Sequence, residues 1–287
     1  CQHLYIGHST YRKGRNMASF MSEEAQQLSS CIRSKMRLVL PHMKHTPVFS
    51  HRTAIEYWGS RAPDSSMKPL TLHVSVSQRD ERPHTQGVSA HLWRGPLLTH
   101  VDDGFEVVRP EVCWAQMAQH CPPTTLITIA ANFTCRDRVR RVTTLDEIIG
   151  YATSLKGFHG KRKCMEVIPF LIENTDSPRE AMLAEFLIRH GFGRPVANFR
   201  VQLEGRVCYL DVSYPDLKIA FEYQGAYHAD VEQMRRDMAK HNDLLKRGWQ
   251  IIYVTLEDFR NPAQFLDIIQ VTVEQQHHLM GLKKVVR

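Results

Sequence analysis

YLDVSYPD (209–216) runs directly into LKIAFEYQG (217–225), and the side-chain alternation of this pair dictates the C-terminal architecture. Cys208, Leu210 and Val212 alternate with Tyr209, Asp211 and Ser213, and Ile219, Phe221 and Tyr223 alternate with Ala220, Glu222 and Gln224. A period of two marks half-buried strands. Pro215 and Asp216 form the turn between them. The two apolar rows share one face only if Asp211 pairs with Glu222 or lies diagonal to it, because a one-residue slip would bury the carboxylates. In that register the Asp211 and Glu222 side chains start about 5 Å apart, with Gln224 two residues along the same face. Like charges that close repel unless a divalent cation lies between them, so the hairpin has the outline of a metal site.

The flanking segments extend the unit. Ser177 is a helix N-cap, Pro178 takes the first helical position and Glu180 lies three residues after the cap. Ala181, Leu183, Ala184, Leu187 and Ile188 form the buried stripe of that helix, which Gly191, Gly193 and Pro195 terminate. NFRVQLE (198–204), a turn at Gly205 and the strand through Asp211 make a hairpin. A polar helix over 230–247 turns Met234, Met238, Leu244 and Leu245 inward and stops at Gly248. WQIIYVT (249–255) is a buried strand parallel to 217–224, and a last helix starting at Asn261 and Pro262 covers the sheet with Phe265, Ile268, Ile269 and Val273. The expected result is an α/β/α sandwich over 175–287, preceded by an α+β domain over 1–174.

An aspartate, a strand turn and then Glu-x-Gln resembles the core of the PD-(D/E)xK nucleases. The likeness continues through Gly225, His228 and RRDMAKHNDLLKRGWQIIYVT (235–255), in which Asp237, Lys240, Leu244, Gly248 and Trp249 keep the spacing of small endonucleases related to very-short-patch mismatch repair enzymes. It covers roughly residues 175–270. The resemblance implies a restriction-endonuclease-like sandwich with a mixed sheet and a Mg²⁺ or Mn²⁺ ion held by Asp211 and Glu222. Gln224 stands where the wider superfamily often has Lys, and an amide can orient water but cannot take its proton. His228 either donates to the scissile phosphate or is a structural loop residue. Asp237 holds His228 or Lys240, and Lys240 faces the phosphate or that aspartate. Glu180 is explained equally well as a capping-box residue and as the first-helix acid that assists the metal. Cysteines that could hold the structural zinc of some repair enzymes are not clustered over 175–270, a departure from that pattern.

Composition frames these motifs. The chain has 287 residues, 43% of them hydrophobic, and a formal net charge of +7. No apolar run approaches the ~18 residues of a membrane span, so the chain reads as globular, with no membrane partner. A basic balance joined to a nuclease-like core points to nucleic-acid phosphates, DNA first and RNA as the other candidate. Arg138, Arg140 and Arg141, with Arg235, Arg236 and Lys240, are candidate phosphate contacts, although the run at 136–141 reads equally as a solvated loop. Seven cysteines without a C-x-x-C pair read as reduced thiols in a cytoplasm. The chain opens on Cys1, which points to a missing or processed start rather than a lipid-modified one.

The first 174 residues carry weaker signals. SEEAQQLSSCIRSKMRLVL (22–40) has helical spacing, and FSHRTAIEYWG (49–59) reads as a helix capped by Ser50 and ended by Gly59. LTLHVSVS (70–77) alternates as a strand, with further strands over 86–94 and 104–109. PEVCWAQMAQHC (110–121) and TLDEIIGYATSL (144–155) are helices. The order of these segments resembles the middle region of actinobacterial proteins that carry the same nuclease-like domain, some of them antitoxin-like regulators. Cys113, His120 and Cys121 lack a closed four-ligand zinc spacing, and His51 reads as a capping-turn or packing residue. The expected activity is metal-dependent endonucleolysis of DNA in prokaryotic defence, repair or a mobile element. The alternatives are an inactive DNA-binding regulator on the same fold and an RNA-directed toxin.

Overall fold

The computed structural model describes residues 17–61, 67, 71–224 and 231–281. Cys1, His228 and Gly225 lie outside them. The chain divides into two compact units between Asn174 and Thr175.

The first unit is α+β. In chain order its elements are α1 (Met17–Val39), β1 (Val48–Phe49), α2 (His51–Tyr57), β2 (Leu72–Val76), β3 (Val88–Leu92), β4 (Thr99–Asp102), β5 (Phe105–Val108), α3 (Pro110–Met117), α4 (Pro123–Phe133), α5 (Leu145–Ser154) and α6 (Lys161–Val167). The strands form one sheet in the order β3-β2-β1-β5-β4. Its β2–β3 and β1–β5 pairs are parallel, and its β1–β2 and β4–β5 pairs antiparallel. Phe49, Phe105, Trp114, Leu126, Phe133 and Ile148 are fully buried and make the core. Strands β1 and β4 and helices α4 and α6 are additions to the sequence reading, β1 taking Phe49 from the start of the expected helix. Asp103 and Gly104 both have positive φ, the two-residue turn that joins twisted antiparallel strands, so the Asp-Gly pair was a legible signal for β4. Helix α3 ends at Met117, earlier than the apolar period suggests, because His120 and Cys121 turn back onto the Met117 carbonyl.

The second unit has a mixed four-stranded sheet with helices on both faces. Its elements are α7 (Pro178–Arg189), β6 (Val196–Leu203), β7 (Arg206–Tyr214), β8 (Ile219–Tyr223), α8 (Val231–Leu245), β9 (Gln250–Val254), α9 (Leu256–Arg260) and α10 (Pro262–Leu279). The order is β6-β7-β8-β9, antiparallel except for the parallel β8–β9 pair. Leu183 and Leu187 of α7 and Phe265 and Ile269 of α10 pack with Val212, Ile219, Phe221, Ile252 and Val254. Leu244 of α8 and Trp249 pack with Val201, Leu203, Cys208, Leu210 and Ala220. Ile219 and Ala220 are successive strand residues in different clusters, so the clusters lie on opposite faces of the sheet.

Several expected core positions face solvent. Met238, Leu245 and Ile268 are exposed, and Ile188 is only half-buried. Among the described side chains of α8 the burial is carried by Leu244, packed with Trp249, and the Met234 side chain lies outside the described ones. Strand β9 is buried on one face only, with Tyr253 exposed. Short helix α9, capped by Thr255 and Asp258, precedes the expected last helix.

Candidate metal centre

The β7–β8 register places Val212 opposite Phe221, Ser213 opposite Ala220 and Tyr214 opposite Ile219. Continued by one residue, it sets Asp211 opposite Glu222. The expected apolar row of Cys208, Leu210 and Val212 does not stay on one face, however. Cys208 and Leu210 pack with α8, whereas Val212 packs with α7 and α10. The strand changes face at Asp211. Its neighbour in β6, between the pairs Ala197–Val212 and Phe199–Leu210, is Asn198, which holds a left-handed φ of 50°. A paired kink of this kind re-aims a side chain at a sheet position that strict alternation would commit to one layer. Here the re-aimed group is the Asp211 carboxylate, whose Oδ2 accepts from the Tyr223 backbone N–H at 3.1 Å.

Glu180 takes part in capping α7, one of the two roles that its sequence position allowed. Ser177 caps α7 by accepting from the Glu180 N–H, while Glu180 Oε1 accepts from the Ser177 hydroxyl at 2.9 Å and Oε2 from the Asp176 N–H at 2.7 Å. Asn198 Nδ2 also donates to Glu180 Oε2, at 3.0 Å. The kinked strand is thereby tied to the first turn of α7. Glu180 is 1% exposed, and burial followed by repulsion from Asp211 raises its pKa well above the carboxylate range.

Lys240 of α8 donates to both carboxylate oxygens of Glu222 at 2.9 Å and to Tyr209 O at 3.1 Å. Lys240 thus meets Glu222, a partner that the sequence reading did not name. Burial raises the pKa of Glu222, and the Lys240 ammonium opposes that rise. Burial and then repulsion from Glu222 push Asp211 up to about 7, against the pull of Lys240 and the Tyr223 N–H. Asp176 adds repulsion at both Glu180 and Asp211. Gln224 is exposed, and its backbone N–H extends the β8–β9 ladder to Val254 O at 2.7 Å.

Asp211 and Glu222 thus lie on paired strands beside the Lys240 ammonium, which holds Glu222, while Glu180 repels Asp211 from α7. If all are ionised, the four groups carry two net negative charges, which one divalent cation would offset. The raised pKa values are the cost of that uncompensated charge in a desolvated place. The oxygen donors of Asp211 and Glu222 suit a hard ion such as Mg²⁺, and Asp211 is the less committed of the two to other partners.

The arginine run separates by role. Arg138 is exposed and Arg140 half-buried. Arg141 donates from Nε to Cys135 O at 2.8 Å and from a terminal nitrogen to Asn174 Oδ1, which makes it a clamp between its own loop and the segment after α6. On α8, Arg235 is exposed and Arg236 half-buried.

In the first unit, His120 does not join Cys113 or Cys121. The Cys113 thiol donates to His51 O at 3.3 Å, and burial pushes both thiols up, Cys121 to about 11. His120 meets His51 and His91 instead, and among the described residues these three form a group of His, Cys or acidic side chains close enough to share a metal. His73 and His91 escaped the sequence reading because each sits in an ordinary strand pattern; parallel pairing of β2 and β3 brings them together.

No family model and no solved structure matches the chain. Two curated proteins of Mycobacterium tuberculosis are similar to it: "Uncharacterized protein MT2308" of strain CDC 1551 / Oshkosh and "Uncharacterized protein Rv2248" of strain ATCC 25618 / H37Rv. Each is 25% identical over 203 residues, 69% of this chain and 66% of the relative, so the chain spans just under two thirds of their length.

Proposed function

We infer that the 175–287 unit is a metal-dependent nuclease of the PD-(D/E)xK type, with a restriction-endonuclease-like core, that hydrolyses phosphodiester bonds in DNA. The observation that carries this reading is the opposition of Asp211 and Glu222 on adjacent strands, with Lys240 held against Glu222. A bound Mg²⁺ or Mn²⁺ would acidify a water and offset charge at the phosphate. Asp211 and Glu222 would hold that ion, with Glu180 setting the local field and fixing the kink that aims Asp211. Lys240 supplies the positive charge that Gln224, an amide, cannot. Gln224 would orient the attacking water from the exposed end of β8. Arg138, Arg140, Arg235 and Arg236 would supply backbone contacts, and the basic balance of the chain supports an anionic partner.

A second reading rests on the same lysine. With both Glu222 oxygens engaged by Lys240, the face can also persist without metal as a DNA-binding platform, which is the regulator alternative. Incubating the full chain with supercoiled plasmid and with RNA, each in Mg²⁺, Mn²⁺ or EDTA, separates the two. Cleavage that requires the metal supports the nuclease, and binding without turnover supports the regulator.

A further inference from the structure

The first unit gathers four imidazoles. His51 opens α2, His73 lies on β2, His91 on β3, and His120 follows α3. The β2–β3 register sets His91 opposite Ser75, two residues along from His73, so the strand histidines share one face. Ring centroids are 4.1 Å apart for His51 and His91, 5.5 Å for His51 and His120, and 5.8 Å for His91 and His120. One ring nitrogen from each of these three lies within 4.8 Å of the others.

The rings are held from outside. Ser50 Oγ lies 2.9 Å from His51 Nδ1, His73 Nδ1 lies 2.9 Å from His91 Nε2, and Gln119 Nε2 lies 3.0 Å from His120 Nε2. A hydrogen bond at one ring nitrogen is how proteins orient an imidazole that ligates through the other. Cys113 Sγ donates to His51 O, and Gln116 Nε2 donates to Ser75 Oγ at 2.9 Å, so α3 is tied to both the start of α2 and the strand face. His51 itself holds a left-handed φ of 53°, uncommon for a residue with a side chain and kept only where the surroundings enforce it. Gln116 is 2% exposed, and its Oε1 has no hydrogen-bond partner among the described residues.

We propose that His51, His91 and His120 form a binding site for a borderline divalent transition ion, Zn²⁺ by the chemistry of its donors, with His73 as a positioning residue for His91. Three imidazoles offer nitrogen donors at ~2.0–2.1 Å and leave a fourth position for water, the composition of open zinc sites. Tetrahedral geometry at that bond length sets the nitrogens about 3.3 Å apart, so small ring rotations close the site. His91 and His120 are half-buried, which gives solvent a route to the ion. The buried Gln116 carbonyl, beside the register partner of His91, is an acceptor of the kind that a metal-bound water needs. Mg²⁺ prefers oxygen donors, so this site and the carboxylate site would select different ions, and neither assignment depends on the other.

The test is calorimetric titration of Zn²⁺ into the metal-stripped full chain with Mg²⁺ in excess, repeated with Co²⁺ and read by visible absorption. The expected result is one equivalent of tight Zn²⁺ binding and a tetrahedral Co²⁺ spectrum. His91→Gln and His120→Gln, both at half-buried rings, should each weaken Zn²⁺ binding at least 100-fold. His73→Gln should weaken it about 10–100-fold, as loss of an orienting partner does. His42→Gln, outside the cluster, should change nothing. Absence of a Zn²⁺ equivalent in the wild-type chain overturns the proposal without recourse to any variant. Undiminished binding in a folded His91→Gln/His120→Gln double variant overturns it too, because the ion would then sit elsewhere.

Discussion

The Lys240 ammonium lies 2.9 Å from both carboxylate oxygens of Glu222, joining helix α8 to strand β8 across the face on which the metal centre would form. Both side chains are less than one-fifth exposed. Removing one partner of such a pair strands the other charge away from water. Lys240→Met should therefore cost roughly 2 kcal/mol of stability, less than a fully buried pair because solvent still reaches the site. Millimolar Mg²⁺ should return part of that loss by supplying the missing positive charge. Thermal melts of both proteins with and without Mg²⁺ check this, and an equal Mg²⁺ effect on the two would mean that the ion does not sit beside Glu222.

Glu180 separates cap from charge. Glu180→Gln retains an acceptor for the Asp176 N–H while removing the repulsion on Asp211, so stability should be unchanged or slightly higher and Mg²⁺ affinity lower. Glu180→Ala removes an acceptor from the Asp176 N–H, the Ser177 hydroxyl and Asn198 Nδ2 and should cost about 1–3 kcal/mol. Urea midpoints with parallel Mg²⁺ titrations distinguish the two. Unchanged Mg²⁺ affinity in the glutamine variant would leave Glu180 as a cap alone.

Metal-free protein should lose stability in mild acid. Burial and the neighbouring His73, His120 and Arg82 lower His91 to about 4, and burial with the other three rings also lowers His51 well below its usual value. A lowered imidazole pKa means that the unfolded chain binds the proton first. The stabilisation is then complete above the unfolded value of ~6.5 and disappears as pH falls toward the folded value. His91 alone should contribute roughly 2 kcal/mol across that window after allowance for its partial exposure. Denaturant midpoints at pH 7.5 and 5.0 test this, and His91→Gln should flatten the difference.

The arginines near residue 140 should divide in a binding assay. Arg141→Ala removes the clamp on Cys135 O and should cost about 1–2 kcal/mol of stability. Arg138→Ala, at an exposed position, should leave stability unchanged and lower the salt slope of DNA binding by about 1 if it neutralises a phosphate. An unchanged slope would make the run a solvated loop.

Much of the second unit was legible because its signals are local. Period-two alternation, the Ser177–Pro178–Glu180 helix start and the Gly248 stop each depend on a few adjacent residues, and the structure places β6 to β9, α7 and α8 accordingly. The change of face at Asp211 was not legible, since Cys208, Leu210 and Val212 keep an unbroken alternation while the backbone kinks opposite Asn198. Lys240 was readable as a basic helix residue, but its contact with Glu222 depends on how α8 lies on the sheet. The histidine cluster was the least accessible of all. His51, His73, His91 and His120 are spread over 70 positions of sequence, and only the parallel β2–β3 pair and the return of α3 bring them together.

The central claim is that Asp211 and Glu222 together hold a divalent ion that drives phosphodiester hydrolysis. The most direct measurement is the rate at which Asp211→Asn, verified as folded by its melting curve, cleaves supercoiled plasmid in Mg²⁺ beside the wild-type chain. Cleavage in the wild type, lost in EDTA and reduced at least 100-fold in Asp211→Asn with DNA affinity equal or higher, is the expected outcome. Equal cleavage by the two proteins would contradict the assignment, as would a wild-type chain that binds the plasmid and leaves it intact in every metal.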